Sequence, residues 1–502
     1  MMANNNHRLN TPQSLNAYIK SICDIMRRSG RSGALQYVPE LTWMLFLRIL
    51  DEKEQREEEQ AKAVGVNFSP SLNYPYRWQD WASPSGKKRN ELQQGTLGGF
   101  MSFVNGELIP YLRGLKSTPG ATSRQKIISE VFSSTERTYI DTERNLLDIL
   151  DKIDALSLEN VDQTHMFPIS QVYEGLLQKM GEKNNDGGQF FTPREVIRVM
   201  VKVIDPEIGE TVYDPCCGTG GFLAQAYHHM KEKAKTGSDI ETLKTRTFYG
   251  REKENLVYPI ALANLVLQEI DEPHIWHGNT LTGLETYGGL FQEAPSLFDI
   301  ILTNPPFGGK EGKDAQTKFA YKTSATQILF LQHVIDSLKP GGKCGIVMDE
   351  GALFRTNEKA FVQTKRKLLN ECNLWCLVSL PPKVFVNAGA GSKTNLLFFT
   401  KGEPTREIWY YDLANLNITK KQPLTFEHFD EFFKLLPQRE ISERSWLASI
   451  EEIEAKNYDL KAVNPNRREE QDTRTPEELL SIIEAQSDEI KNIISLLRKK
   501  GI

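Results

Sequence analysis

The chain has 502 residues, of which 39% are hydrophobic and 25% charged, a balance that predicts a packed globular protein of roughly two to four domains. No apolar run approaches the ~20 residues that cross a bilayer, and the polar start MMANNNHRLNTPQ lacks the apolar core of a secretory signal, so a cytoplasmic protein without a membrane partner is expected. The net charge of −5 is poor for gripping a polyanion unaided, so a local basic groove or a partner must supply any such grip.

In chain order, residues 12–63 read as helices. The stretch from Glu40 to Ala63 starts apolar (LTWMLFLRIL) and turns into a charge run (DEKEQREEEQAKA), as in an amphipathic helix that emerges with a solvated face. Residues 66–90 read as a loop whose basic triplet Lys87, Lys88 and Arg89 is expected at a solvated tip. Helical patterns resume from Leu97 to Leu156.

The character changes near Phe167. From there to Asp412 short β-rich runs alternate with helical stretches: 211–214, 246–250, 298–304, 343–349, 373–380, 393–400 and 406–412. Alternation of this kind predicts a doubly wound α/β sheet, and the last strands, with no helices between them, predict an antiparallel edge. Beyond Leu413 the chain reads as helical and charged. A final helix is signalled by the capping box Thr475-Pro476-Glu477-Glu478. Its stripe of Leu479, Ile483, Ile490, Ile493 and Leu497, broken only by Gln486, requires burial against the chain's own body or a partner. The expected domains are an N-terminal helical domain (1–163), a catalytic α/β domain (164–412) and a C-terminal helical region (413–502).

Six cysteines are no disulfide framework, and none has the close Cys/His company of a zinc set, so buried free thiols and no metal site are expected.

Five short segments carry chemistry. Gln189-Phe190-Phe191-Thr192-Pro193-Arg194 precedes a helical run, with Thr192 as expected N-cap, Pro193 at the first helical position and Glu195 completing a capping box. The exposed N–H groups of such a start suit a carboxylate. Asp214 ends a strand and opens the turn Pro215 to Phe222, where Gly218, Thr219, Gly220 and Gly221 let the backbone approach a nucleotide-like ligand. Leu223 stands where a dinucleotide fingerprint needs a third glycine, which disfavours a nicotinamide oxidoreductase, and no Walker A loop occurs. Glu252, at the end of the next strand, can accept from both hydroxyls of a ribose, and Asn279, after the third, can read a purine edge.

The segment that decides the chemistry is Asn304-Pro305-Pro306-Phe307 at the end of FDIILT. An amine conjugated to a purine is a poor nucleophile. Two acceptors aimed at its hydrogens favour a more tetrahedral, reactive nitrogen. The Asn304 side-chain oxygen and the Pro305 carbonyl are those acceptors. The prolines stiffen the turn and carry no N–H, and Phe307 presents a face for a base to stack on.

The order FTPREV, DPCCGTGGF, YGRE, NPPF resembles the amino-methyltransferases that make N6-methyladenine. The helical N-terminal region, QFFTPR and Asn457-Tyr458-Asp459-Leu460 bring the resemblance to the modification subunit of type I restriction-modification systems, over roughly residues 15–466. The resemblance implies a Rossmann-like methyltransferase sheet with S-adenosylmethionine as cofactor, held by Gln189 to Arg194, Thr219 to Gly221 and Glu252, and catalysis by Asn304 to Phe307. It implies double-stranded DNA with a flipped adenine as substrate, and as partners a DNA-specificity subunit, with two modification subunits for each, and a restriction and translocation subunit. The family often carries an acidic residue at the position of Asn279. The rival readings are a protein glutamine methyltransferase, which also holds a planar amide with an NPP[YF] turn, and a non-catalytic scaffold on the same fold.

Overall fold

Helical apolar patterning dominates the first third of the chain and short apolar strand runs alternate with helices in the middle, and a single core runs from the helical body onto one face of the strands. A computed structural model describes residues 12–28, 34–155, 192–282, 289–291, 294–385, 393–419 and 422–466, with scattered positions between 477 and 487. Among the described residues, regular structure up to Asp154 is helical, with the long helices Pro12–Arg28 and Ala34–Ala63 followed by shorter ones that include Ser123–Val131 and Glu143–Asp154. Their apolar faces close around buried Trp43, Trp81, Phe103 and Phe132.

Two expectations fail in this helical body. The charge run is not a solvated face in its first turns: Asp51 and Glu54 are buried. Glu54 accepts from the Ser71 N–H at 3.0 Å, and Arg124 spans Glu54 and Glu57 at 3.4 and 2.7 Å. Charge survives burial there because each carboxylate meets a donor. Nor is the basic triplet a loop tip. It opens the helix Lys87–Gln94, and Arg89 is buried, donating to Asp151 and to the Ala82 carbonyl, both at 2.6 Å.

Among the described residues nine strands form one sheet. They are β1 (Val212–Asp214), β2 (Phe248–Glu252), β3 (His274–His277), β4 (Phe298–Thr303), β5 (Leu338–Asp349), β6 (Cys372–Ser379), β7 (Thr394–Lys401), β8 (Glu407–Asp412) and β9 (Ser445–Ser449), in the order 3-2-1-4-5-7-6-8-9. Strands 3-2-1-4-5 are mutually parallel. The expected antiparallel part is there, with β7 antiparallel to both β5 and β6. Alternation sends neighbouring side chains to opposite layers, Ile300 to the core shared with the helical body and Ile301 to the other. Helices cover both faces, as a buried parallel sheet requires.

β9 lies in the stretch read as helical beyond Leu413. It pairs antiparallel with β8, Tyr410 opposite Trp446, so the sheet continues past Asp412. Charged residues around SWLAS hide its alternation. The capping box and apolar stripe of the final helix lie outside the described residues.

Strand order reverses between β1 and β4, where two crossovers leave in opposite directions and open a crevice at the strands' C-terminal ends.

Candidate functional site

The crevice is a cleft of about 290 Å³ lined from the ends of β1, β2, β3 and β4 and from the start of the helix Arg194–Ile204. Thr192, Arg194, Asp214, Gly218, Thr219, Gly221, Glu252, Asn279, Asn304 and Pro306 all line it. Pro193, Gly220, Pro305 and Phe307 do not. Gln189, Phe190 and Phe191 lie outside the described residues.

The glycine turn takes its shape from left-handed residues at Gly218 (φ 53°) and Gly220 (φ 80°), a conformation costly to any side chain. Gly220 caps the helix Gly221–Lys231, and a Cβ on it would sit 3.1 Å from Leu265 Cγ. The turn is tied to β2: Glu252 Oε2 accepts from the Gly218 N–H at 2.9 Å, and Oε1 accepts from the Glu254 N–H at 2.7 Å. Burial pushes the Glu252 carboxyl up to about 7, against the pull of those N–H donors. Each oxygen keeps a further lone pair for a hydroxyl.

Asp214 joins β1 to β4. Its Oδ1 accepts from the Thr303 hydroxyl at 2.7 Å and the Cys216 N–H at 3.2 Å, and burial raises it to about 7. Asn279 is already engaged at both ends of its amide: Oδ1 accepts from the Leu281 N–H at 3.0 Å, and Nδ2 donates to Glu311 at 3.3 Å. One further hydrogen of Nδ2 and one lone pair of Oδ1 are what it can offer a purine edge.

Thr192 is not the N-cap expected of it. Pro193 holds the preceding residue extended and is itself extended (ψ 134°), so the helix begins at Arg194 with Pro193 as its cap residue. The freed Thr192 hydroxyl accepts instead from Asn304 Nδ2 at 3.0 Å. That contact fixes the amide. With Nδ2 donating to Thr192, Asn304 Oδ1 is buried with no hydrogen-bond partner among the described residues. A buried acceptor left this way costs about 1–3 kcal/mol, a cost that an arriving N–H would relieve. Phe307 is half-buried and meets Phe385, after β6, edge to face at 5.5 Å between ring centres.

Two supporting residues escaped the sequence reading. Phe385 gives no local signal. Asn264 does: it is the one amide side chain in the apolar helix YPIALANLVL, and it donates to the Thr219 carbonyl at 2.8 Å from a fully buried position. Among the described residues no cluster of three metal-binding side chains occurs, and no helix is long and apolar enough to cross a membrane.

The sequence matches the N-6 DNA Methylase family over residues 164–474 and the HsdM N-terminal domain over residues 15–153. It is 34% identical to the type I restriction enzyme EcoEI methylase subunit of Escherichia coli, over 97% of each chain. It is 30% identical to the EcoKI methylase subunit of Escherichia coli K12, over 83% of this chain and 74% of that one. Among solved structures, it resembles the modification subunit of a putative type I restriction enzyme from Vibrio vulnificus YJ016, at 33% identity and a TM-score of 0.77 over 91% of this chain and 98% of that one. A structure described under complex assembly and conformational transition of the type I system matches at 38% identity and a TM-score of 0.75, over 97% and 98%.

Proposed function

Since the chain belongs to the N-6 DNA methylase family, as a methylase subunit of the type I restriction enzyme kind, we propose that its cleft holds S-adenosylmethionine beside a flipped adenine and methylates N6 directly. The observation that carries this reading is the buried Oδ1 of Asn304, unpartnered among the described residues, in the lining of a cleft with a buried carboxylate and an open helix start. The cofactor supplies an activated methyl on a sulfonium, so the chain need only position the acceptor.

Each residue then has a physical task. Glu252 accepts from the ribose hydroxyls with the lone pairs its backbone contacts leave over. The helix start at Arg194 faces the carboxylate end, where N–H groups without helical acceptors and the helix dipole favour negative charge. The glycine turn allows the backbone to come close. Thr192 holds Asn304 with its oxygen toward the amine, and the Pro305 carbonyl is the second acceptor. These two contacts localise the amine's lone pair, and the proton leaves after the methyl arrives. Phe307, braced by Phe385, stacks on the base. Catalysis is mostly positioning and exclusion of water.

Sequence choice falls to a separate specificity subunit, two methylase chains to each, with a restriction subunit completing the assembly. Its DNA substrate puts its site of action in the cytoplasm. The net charge of −5 supports this division, because it leaves DNA grip to a partner. The test is transfer of labelled methyl to DNA by the chain co-expressed with its specificity subunit. Asn304→Ala is expected to abolish transfer while cofactor affinity stays within about twofold, since that side chain faces the amine and not the donor. Wild-type turnover in Asn304→Ala overturns the assignment.

A further inference from the structure

The helix Tyr258–Leu267 backs the cleft, packing near each of its ends on segments that line it, and meets the helical body on its other side. At its start, the Tyr258 ring lies flat on His277, 4.5 Å between ring centres at an interplanar angle of 6°. His277 ends β3 and hands the chain to Gly278 and Asn279, which line the cleft. Toward its end, Asn264 holds the Thr219 carbonyl of the glycine turn, and Leu265 sits against Gly220. The opposite side faces the helical body, where Val266 and Leu267 share a small cavity with Phe46, Leu50 and Ile127. One polar bond crosses at the helix start: the Tyr258 hydroxyl donates to Glu130 Oε2 at 3.3 Å. The other Glu130 oxygen accepts from Lys116 at 2.9 Å, within the helical body.

We infer that the N-terminal helical body sets the shape of the cofactor cleft through this helix, with Tyr258 and Asn264 as positioning residues and Glu130 as the anchor that reaches them. The inference rests on the proposed cofactor reading. It gives the helical body a role in binding the cofactor, although none of the described residues that line the cleft comes from it. A shift of the body against the sheet would move the Asn279 loop and the glycine turn together, because a close-packed helix buried at all but Val266 transmits displacement rather than absorbing it.

Calorimetric titration of the full chain with S-adenosylmethionine tests this, beside thermal unfolding of the same samples. Glu130→Ala lies outside the cleft on a partly exposed side chain, so it tests the coupling without touching a lining residue. The expected result is a three- to tenfold rise in Kd with an unfolding midpoint close to wild type. Tyr258→Phe, which keeps the ring on His277, should match it, and the double variant should be no worse than either single one. Glu130→Gln, which keeps an acceptor, should restore affinity. Unchanged affinity in both Glu130→Ala and Tyr258→Phe overturns the inference, as do losses that follow the unfolding midpoint alone. A wild-type chain that binds no S-adenosylmethionine overturns the functional reading and this inference with it; a wild-type chain that binds while Glu130→Ala and Tyr258→Phe both bind equally well overturns the inference only.

Discussion

Glu252 joins burial, charge and ligand chemistry in one side chain. Its carboxyl is raised to about 7 by burial, from an ordinary 4.5, although two backbone N–H groups donate to it. Ribose hydroxyls bond best to an ionised carboxylate. Cofactor affinity should therefore be flat above about pH 8 and fall as pH drops through 7, approaching tenfold per unit. In the cofactor-free chain the sign reverses. A raised folded pKa favours the folded state in acid, so this contribution is fully present below about 4.5 and is lost as pH rises through about 7. Asp214 titrates in the same window, but its Oδ1 is engaged with Thr303 and Cys216. Glu252→Gln therefore isolates the effect: calorimetry from pH 6 to 9 should show weaker and nearly pH-independent binding, and a surviving slope would assign it elsewhere. Thr192→Val offers a second check on the amide. It removes the acceptor that orients Asn304, so turnover should drop about tenfold, the scale of one hydrogen bond, with cofactor Kd little changed. Turnover at the wild-type rate would mean Asn304 needs no such hold. The Asn-Pro-Pro-Phe turn was singled out in the sequence because its composition suits an amine's chemistry. The role of Thr192 was not, because a contact to a residue 112 positions away leaves no local pattern.

Among the elements, the glycine turn and the helix it opens show how a local backbone choice shapes the wall of a cleft. Gly220 is left-handed at φ 80°, and a Cβ there would stand 3.1 Å from Leu265 Cγ. Gly220→Ala should cost about 1–2 kcal/mol from the left-handed conformation alone, and it presses on the helix that carries Asn264. Lower thermal stability and weaker cofactor binding are expected together; an alanine variant with unchanged Kd would show that the turn relaxes without reshaping the cleft. The parallel strands β1, β2 and β4 were readable because each is a short apolar run that leads to a chemically distinctive residue, Asp214, Glu252 or Asn304, whereas the four-residue β3 was not among the strand runs. The ninth strand was not, because Ser445–Ser449 is five residues long, sits between charged neighbours and exposes Leu447. Its identity as a strand comes from pairing with β8, a tertiary fact. The charge run on Ala34–Ala63 misled for the opposite reason. Its periodicity was right, but Arg124 and the Ser71 backbone arrive from elsewhere to satisfy Glu54 in the interior.

At the scale of the whole molecule, charge and the chain's last segment bear on assembly. A net charge of −5 is poor for gripping DNA unaided, so specific methylation by the isolated chain should be near background and should appear when the specificity subunit is added; full methylation by the isolated chain would place a basic groove on its own surface. Residues 464–475, NPNRREEQDTRT, are polar throughout, a composition suited to a tether. They lead to an apolar stripe at heptad spacing, Leu479, Ile483, Ile490, Ile493 and Leu497. Such a stripe requires burial, and a tether lets it reach a second chain. Removing residues 476–502 should leave S-adenosylmethionine binding intact, because every described cleft residue lies between Thr192 and Phe330. It should also shift the chain out of the high-mass fraction in gel filtration with the specificity subunit and lower methylation in proportion. A truncated chain that still assembles and methylates at the full rate would return the stripe to packing on the chain's own body, with the methyltransferase assignment untouched.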